Sequence, residues 1–184
     1  MDSAIRADSK EDGGIWWENA ALREAAFGYF NPARQATEAG MKLYGKSAGA
    51  SRTGLRDDRR YTTGAGLADE LNKRYPLDTQ MQSLWLPAIN AQLALNRKNS
   101  REAIDQLQRA LPLIEYDGIP FIIQGSCFYP TYIRGQAYLG AGLGKEAAAE
   151  FQKIIDHSGI VWNCWTGALA RLGVARANAL QAKP

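Results

Sequence analysis

One histidine, two cysteines, a glycine-rich turn and a cluster of arginines are the residues of this 184-residue chain whose chemistry could be put to use. His157 closes the string Ile155-Asp156-His157-Ser158-Gly159. An imidazole there can serve as a general base or a metal ligand, or it can end a helix, meeting the terminal carbonyls before a glycine turns the chain. Cys164, between Trp162 and Trp165, is either a reactive thiol or a small packed apolar group. Cys127 lies far from it and no C-x-x-C spacing occurs, so neither a zinc cage nor a disulfide-rich scaffold is supported, and the redox compartment stays open. Nucleophile, base and orienting group form no recognisable constellation, so no catalytic residue, metal site or cofactor is expected. Gly140-Ala141-Gly142-Leu143-Gly144 superficially matches a phosphate loop, but it follows a helical pattern and lacks the terminal Lys-Ser, so it reads as a turn. In Arg56-Asp57-Asp58-Arg59-Arg60 the two acids cancel much of the positive charge. A formal charge of +3 over the whole chain adds no field that would recruit nucleic acid.

The elements that must hold these residues are helical. There are 29 alanines and 18 leucines against 2 valines, a choice of unbranched side chains that favours helix over sheet. Hydrophobic residues make up 46% and charged residues 22%, the balance of a packed globular chain. No run reaches the roughly 18 to 20 apolar residues of a membrane helix, and residues 1–14 form a polar tail, so no membrane insertion is expected of this chain.

The pattern also repeats. From Pro130 onward, Gly135, Ala137 and Tyr138 precede the Gly140-Ala141-Gly142 turn, and Ala147, Phe151 and Ile154 mark a second apolar stripe. Small residues at Gly135 and Ala147 let two antiparallel helices approach closely, with Tyr138 and Phe151 filling the space beside the crossing. This unit resembles a tetratricopeptide repeat. A second copy spans Trp17 to Gly45, with Ala21 and Ala33 at the close-contact positions and Asn31-Pro32 opening its second helix. Residues 79–115 give a third pair, with Ala91 and Ala94 in the first helix, Ser100 as the expected N-cap, and Leu107 and Ala110 on the buried side. Pro87 should kink or restart that first helix near Leu86. Tyr61 to Pro76 reads as a second helix without its partner, and Leu172-Gly173-Val174-Ala175 reproduces the start of a further first helix that stops at Pro184. Residues 45–66, rich in Gly, Ser, Thr and Arg, read as an irregular surface loop, with a reading-frame slip as the competing explanation. The expected fold is all-α: a tail at 1–14, one helical-repeat domain at 15–182, and a tail at 183–184. The resemblance implies a right-handed superhelical solenoid of about four to five degenerate antiparallel helix pairs, the last truncated.

Several strings carry a narrower likeness: Asn19-Ala20-Ala21-Leu22-Arg23-Glu24-Ala25-Ala26-Phe27-Gly28, then Leu71-Asn72-Lys73-Arg74-Tyr75-Pro76-Leu77-Asp78-Thr79, and Gln82-Ser83-Leu84-Trp85-Leu86-Pro87. Together with 132–139 and 150–159 they are similar to the helical-repeat region that follows the catalytic domain in bacterial eukaryotic-like serine/threonine protein kinases. The resemblance implies a regulatory or partner-binding segment of a larger kinase, in the cytoplasm or, where a membrane helix precedes the repeats, outside it. The chain itself has no Gly-rich loop before a strand Lys, no His-Arg-Asp and no Asp-Phe-Gly, so no kinase activity is expected of it.

Stacked helical hairpins present a concave face lined by the first helix of each pair. Counting from the small-residue positions nominates Trp85, Gln92 and Asn96 of the third pair and Tyr129, Tyr132 and Gln136 of the fourth as its lining. Rings supply area and amides bond a partner's backbone, which suits a protein or peptide. Trp85 or Tyr132 could instead pack between repeats. The basic pattern that clamps a chaperone's C-terminal carboxylate is missing there. Phe121-Ile122-Ile123 is apolar enough to pack over an edge or meet a partner, and truncated repeat ends leave room for self-association. The alternative from another class is a small-ligand sensor or enzyme using the Cys164 and His157 region.

Overall fold

The computed structural model describes residues 64–79, 81–109, 127–161 and 163–182, together with scattered positions between 17 and 39. The chain divides into two compact units, Met1–Arg59 and Arg60–Pro184. In the first unit Trp17, Ala20 and Glu24 are helical, Tyr29 is not, and helix resumes at Asn31 and Pro32, where a second helix is expected. The expectations for residues 45–63 and for Phe121-Ile122-Ile123 lie outside the described residues.

Among the described residues the second unit is helical, with no strand. In chain order it holds α1 (Gly64–Arg74), a π-helical turn (Met81–Trp85), α2 (Leu86–Asn96), α3 (Ser100–Arg109), α4 (Tyr129–Gly140), α5 (Gly144–Asp156), the short α6 (Ser158–Val161) and α7 (Trp165–Gln181). α1 stops before Pro76, as a residue without an N–H requires. Pro87 sits in the first turn of α2, where its missing donor would be unpaired in any case, and the chain before it widens into the π-turn. The restart expected at Leu86 is therefore observed.

Two three-residue turns bend the chain back on itself with the same geometry. Lys98 (φ 61°) and Gly142 (φ 79°), 44 positions apart, take the left-handed conformation that ends α2 and α4. One residue later the Asn99 N–H donates to the Ala94 carbonyl (2.9 Å) and the Leu143 N–H to the Tyr138 carbonyl (2.9 Å), the reverse turn that satisfies terminal carbonyls. The cap of α3 is Asn99 and not Ser100. Asn99 Oδ1 accepts from the Glu102 N–H (3.2 Å) and its Nδ2 donates to Glu102 Oε2 (2.9 Å), two bonds that the shorter serine could not make together.

Glycines set the packing directions. A Cβ on Gly140, at the end of α4, would lie 2.3 Å from the Ser100 hydroxyl at the start of α3. One on Gly144, at the start of α5, would lie 2.9 Å from the Ala177 carbonyl near the end of α7. So α3 and α5 run antiparallel to α4 and α7, and α2, α4 and α7 share one direction. The Phe151 ring lies between two of these helices: a Cβ on Gly135 would be 2.7 Å from it and one on Gly173 2.6 Å. Sequence reading placed Leu172-Gly173 at a helix start; α7 instead begins at Trp165, and Gly173 sits in its middle because that is where Phe151 must be admitted. The core consists of one cluster around Ala88, Ala91, Leu107 and Ile133 and a second around Ala147, Phe151, Ile154 and Ala170.

Candidate functional site

The six nominated residues sit in the π-turn and on α2 and α4, and they fall into different environments. Trp85 and Tyr129, 44 positions apart, are half-buried and pack against the first core cluster. Burial pushes the Tyr129 phenol up to about 12, with the neighbouring Tyr132 adding to the rise. Tyr129 and Trp85 are thus largely packing groups at the base of the face. Gln92 and Asn96 lie one turn apart on α2, and the Gln92 amide donates to Asn96 Oδ1 (3.1 Å). Asn96 is exposed.

On α4, Tyr132 and Gln136 come together in the same way, the Gln136 Nε2 donating to the Tyr132 hydroxyl (3.0 Å). Burial raises the Tyr132 pKa, opposed by Arg176 and by this hydrogen bond. The residue that sequence reading missed is Trp165, at the start of α7. Its ring meets Tyr129 and Tyr132 edge-on, at 5.6 Å in each case, while Tyr132 also touches Phe151 at 5.7 Å. A tryptophan opening a helix of the same direction as α4 was the available signal. The arrangement offers half-exposed rings with paired amides beside them, groups that can meet an amide backbone and an apolar side chain.

The Cys164 region differs from expectation. Cys127 and Cys164 form a disulfide, with Cα atoms 5.8 Å apart. Spacing along the chain could not reveal this pair, because the fold brings the residue before Phe128 against the residue that opens α7. The Cys164 thiol is therefore not available for chemistry. Thr166 Oγ1 donates to the Cys127 carbonyl (2.6 Å), fastening the same corner a second time. His157 ends α5, as one reading of its string expected, with Nδ1 2.7 Å from the Lys153 carbonyl and its ring 5.5 Å from that of Phe128. Gly140 to Gly144 is a turn between helices.

A buried ion pair was not foreseen. Arg134, 2% exposed, donates from Nη2 to Glu150 Oε2 at 2.5 Å, and Lys153 Nζ reaches Glu150 Oε1 at 3.2 Å. The other guanidinium nitrogens, Nε and Nη1, are buried without partners. Among the described residues no three His, Cys, Asp or Glu side chains converge as metal ligands, and no helix is long and apolar enough to cross a membrane. Compared with family models, curated proteins and solved structures, the chain gives no match.

Proposed function

We propose that the chain is a non-catalytic protein- or peptide-binding module, built as a right-handed solenoid of four to five degenerate helix pairs and belonging to a larger signalling protein of the serine/threonine-kinase type. The supporting observation is recurrence. At the same 44-residue offset the π-turn with α2, and then α4, carry an aromatic residue (Trp85, Tyr129) and an amide (Gln92, Gln136). A binding face of a repeat protein needs such recurrence, because an extended partner meets each repeat in turn. The exposed stripe of Ala168, Leu172, Ala175 and Ala179 on α7 supports packing of that helix on a further element or a second copy. The disulfide favours an oxidising compartment, and so the extracytoplasmic of the two expected locations.

The test is a peptide-display selection against the full chain, followed by affinity measurement on the triple variant Gln92→Ala/Asn96→Ala/Gln136→Ala. These side chains are exposed or half-exposed, so the fold should survive. Loss of about tenfold or more in affinity is expected from removing several backbone-bonding amides at once. Selected peptides that bind the folded triple variant unchanged would refute the assignment.

A further inference from the structure

The Cys127–Cys164 bond ties together the two helix ends that carry the aromatic face. Cys127 lies two residues before Tyr129, which opens α4, and Cys164 is the N-cap residue before Trp165, which opens α7. Tyr129, Tyr132 and Trp165 all stand in the first turns of those helices, and the Trp165 ring meets both tyrosines edge-on at 5.6 Å. The hydrogen bond from Thr166 Oγ1 to the Cys127 carbonyl (2.6 Å) is a further link across the same corner.

Farther along, α7 is held by other means. Gly173 admits the Phe151 ring, Ala177 lies against Gly144, and Ala170, Gly173 and Ala177 are buried. These contacts include neither cysteine, so the middle and end of α7 keep their seat on α5 when the bond opens. The corner is the part that can move. Cys127 (φ 52°) and Phe128 (φ 57°) are consecutive non-glycine residues in the left-handed region, a conformation that persists only where the surroundings impose it. Phe128 is the N-cap residue of α4, and its carbonyl accepts the Tyr132 N–H (2.9 Å), so a change in its backbone passes directly to the turn that bears both tyrosines. Both cysteines are half-exposed, which lets an external thiol approach the bond, and accessible disulfides are the ones that exchange.

We propose that Cys127–Cys164 is a thiol-operated switch of the aromatic face. Oxidised, it holds Trp165 against Tyr129 and Tyr132. Reduced, it lets residues 127–128 and the first turn of α7 relax, so that the rings part while α5 and α7 stay packed. The reductant is a dithiol. One of its thiolates attacks a bridge sulfur, breaking the Cys127–Cys164 bond and forming a mixed disulfide, and the displaced cysteine thiolate takes up a proton. The second dithiol sulfur then attacks the mixed disulfide, releasing the other cysteine as a thiol and closing the reductant's own disulfide. Two electrons and two protons pass from the dithiol to the cysteine pair. The consequence for partner binding rests on the proposed function, whereas the switch itself can be read without a partner.

The experiment is NMR of the full chain under native conditions before and after addition of dithiothreitol, with the Trp165 ring signals assigned from Trp165→Phe and thiol titration reporting bond opening. On reduction, the through-space cross-peaks between the Trp165 ring and the Tyr129 and Tyr132 rings should vanish, while those between Phe151 and Gly173 remain. Oxidised dithiothreitol, after removal of the reduced form, should restore them. Cys127→Ala/Cys164→Ala should lack the same cross-peaks and respond to neither reagent. A peptide selected on the oxidised chain should bind the reduced chain about tenfold or more weakly, as loss of an aromatic anchor entails. If no peptide is selected, the proposed function fails and the cross-peaks still decide the switch. Persistence of the Trp165–Tyr132 cross-peaks in the reduced chain would overturn the proposal. So would loss of the Phe151–Gly173 cross-peaks along with them, which makes the bond a staple of the whole unit, or a bond that dithiothreitol leaves intact.

Discussion

Cutting the Cys127–Cys164 cross-link should cost the second unit a large part of its stability. The bond spans 37 positions, and restricting a loop of that length in the unfolded chain is worth about 3.8 kcal/mol at 25 °C. Against this stands the backbone on one side of the bond. Cys127 (φ 52°) and Phe128 (φ 57°) are consecutive non-glycine residues in the left-handed region, at roughly 1 kcal/mol each. Once the bond is cut these two can relax, returning part of that cost, so a net loss of about 2 to 3 kcal/mol remains. In a unit of this size that corresponds to about 6 to 12 °C in Tm. Urea unfolding of the intact chain, followed by far-ultraviolet circular dichroism with and without reductant, measures it. The variant Cys127→Ala/Cys164→Ala supplies a reductant-independent check. Coincident unfolding midpoints for all three samples would refute the reasoning, because the native corner would then be held by Thr166 and packing alone.

Removing one partner of the buried ion pair should do more harm than removing both. Glu150→Ala leaves the Arg134 guanidinium, already short of partners at two nitrogens, uncompensated and should cost about 3 to 5 kcal/mol. Arg134→Met/Glu150→Leu should be near neutral or stabilising in the same urea titration. Gly135→Ala forces a methyl into the Phe151 ring and should cost about 1 to 3 kcal/mol, an amount that Phe151→Leu in the same chain partly restores, as read by a double-mutant cycle. The raised Tyr129 pKa sets an alkaline limit. The folded state holds the phenol's proton more tightly than the unfolded chain, so its contribution is intact below pH 10 and is lost as pH climbs through 12, by up to about 2 to 3 kcal/mol. Phenolate absorbance alongside stability between pH 9 and 12 checks both the window and the sign.

Helix existence was legible because it rests on periodic local choices. Ala88, Ala91 and Ala94 recur at helical spacing, Pro87 can stand only near a helix start, and Gly142 marks a left-handed turn. Boundaries were less so. Ser100 and Asn99 are both good caps, and only the reach of the asparagine to Glu102 decides between them. The features that reading along the chain could not find are those in which residues distant in sequence meet. Arg134 and Glu150, 16 positions apart, each resemble a solvated charge until the crossing of α4 and α5 removes the water from both. Cys127 and Cys164 carry no spacing signal, and a cavity beside the π-turn draws its wall from four segments. Of the candidate face, residue types and register along α2 and α4 were legible, whereas the depth of Trp85 and Tyr129 and the arrival of Trp165 depend on how successive helices stack.

The two hairpins explain why the repetition is faint in the residues and plain in the geometry. Ala91 and Leu107 of the pair α2 and α3 stand where Gly135 and Phe151 stand in the pair α4 and α5, 44 positions later in each case. One position loses a methyl group while the other gains a ring, a roughly compensating exchange of the kind cores tolerate. The same holds at the turns, where Lys98 adopts the left-handed backbone that Gly142 takes at less steric cost. What selection must keep in such a stack is the separation of helix axes and the reversal of direction, and several residue combinations satisfy both. Surface positions are under no such constraint. Of the two recurrences, the aromatic one at Trp85 and Tyr129 belongs to the first core cluster and follows from packing, so only the half-exposed amides Gln92 and Gln136 bear on the proposed binding face.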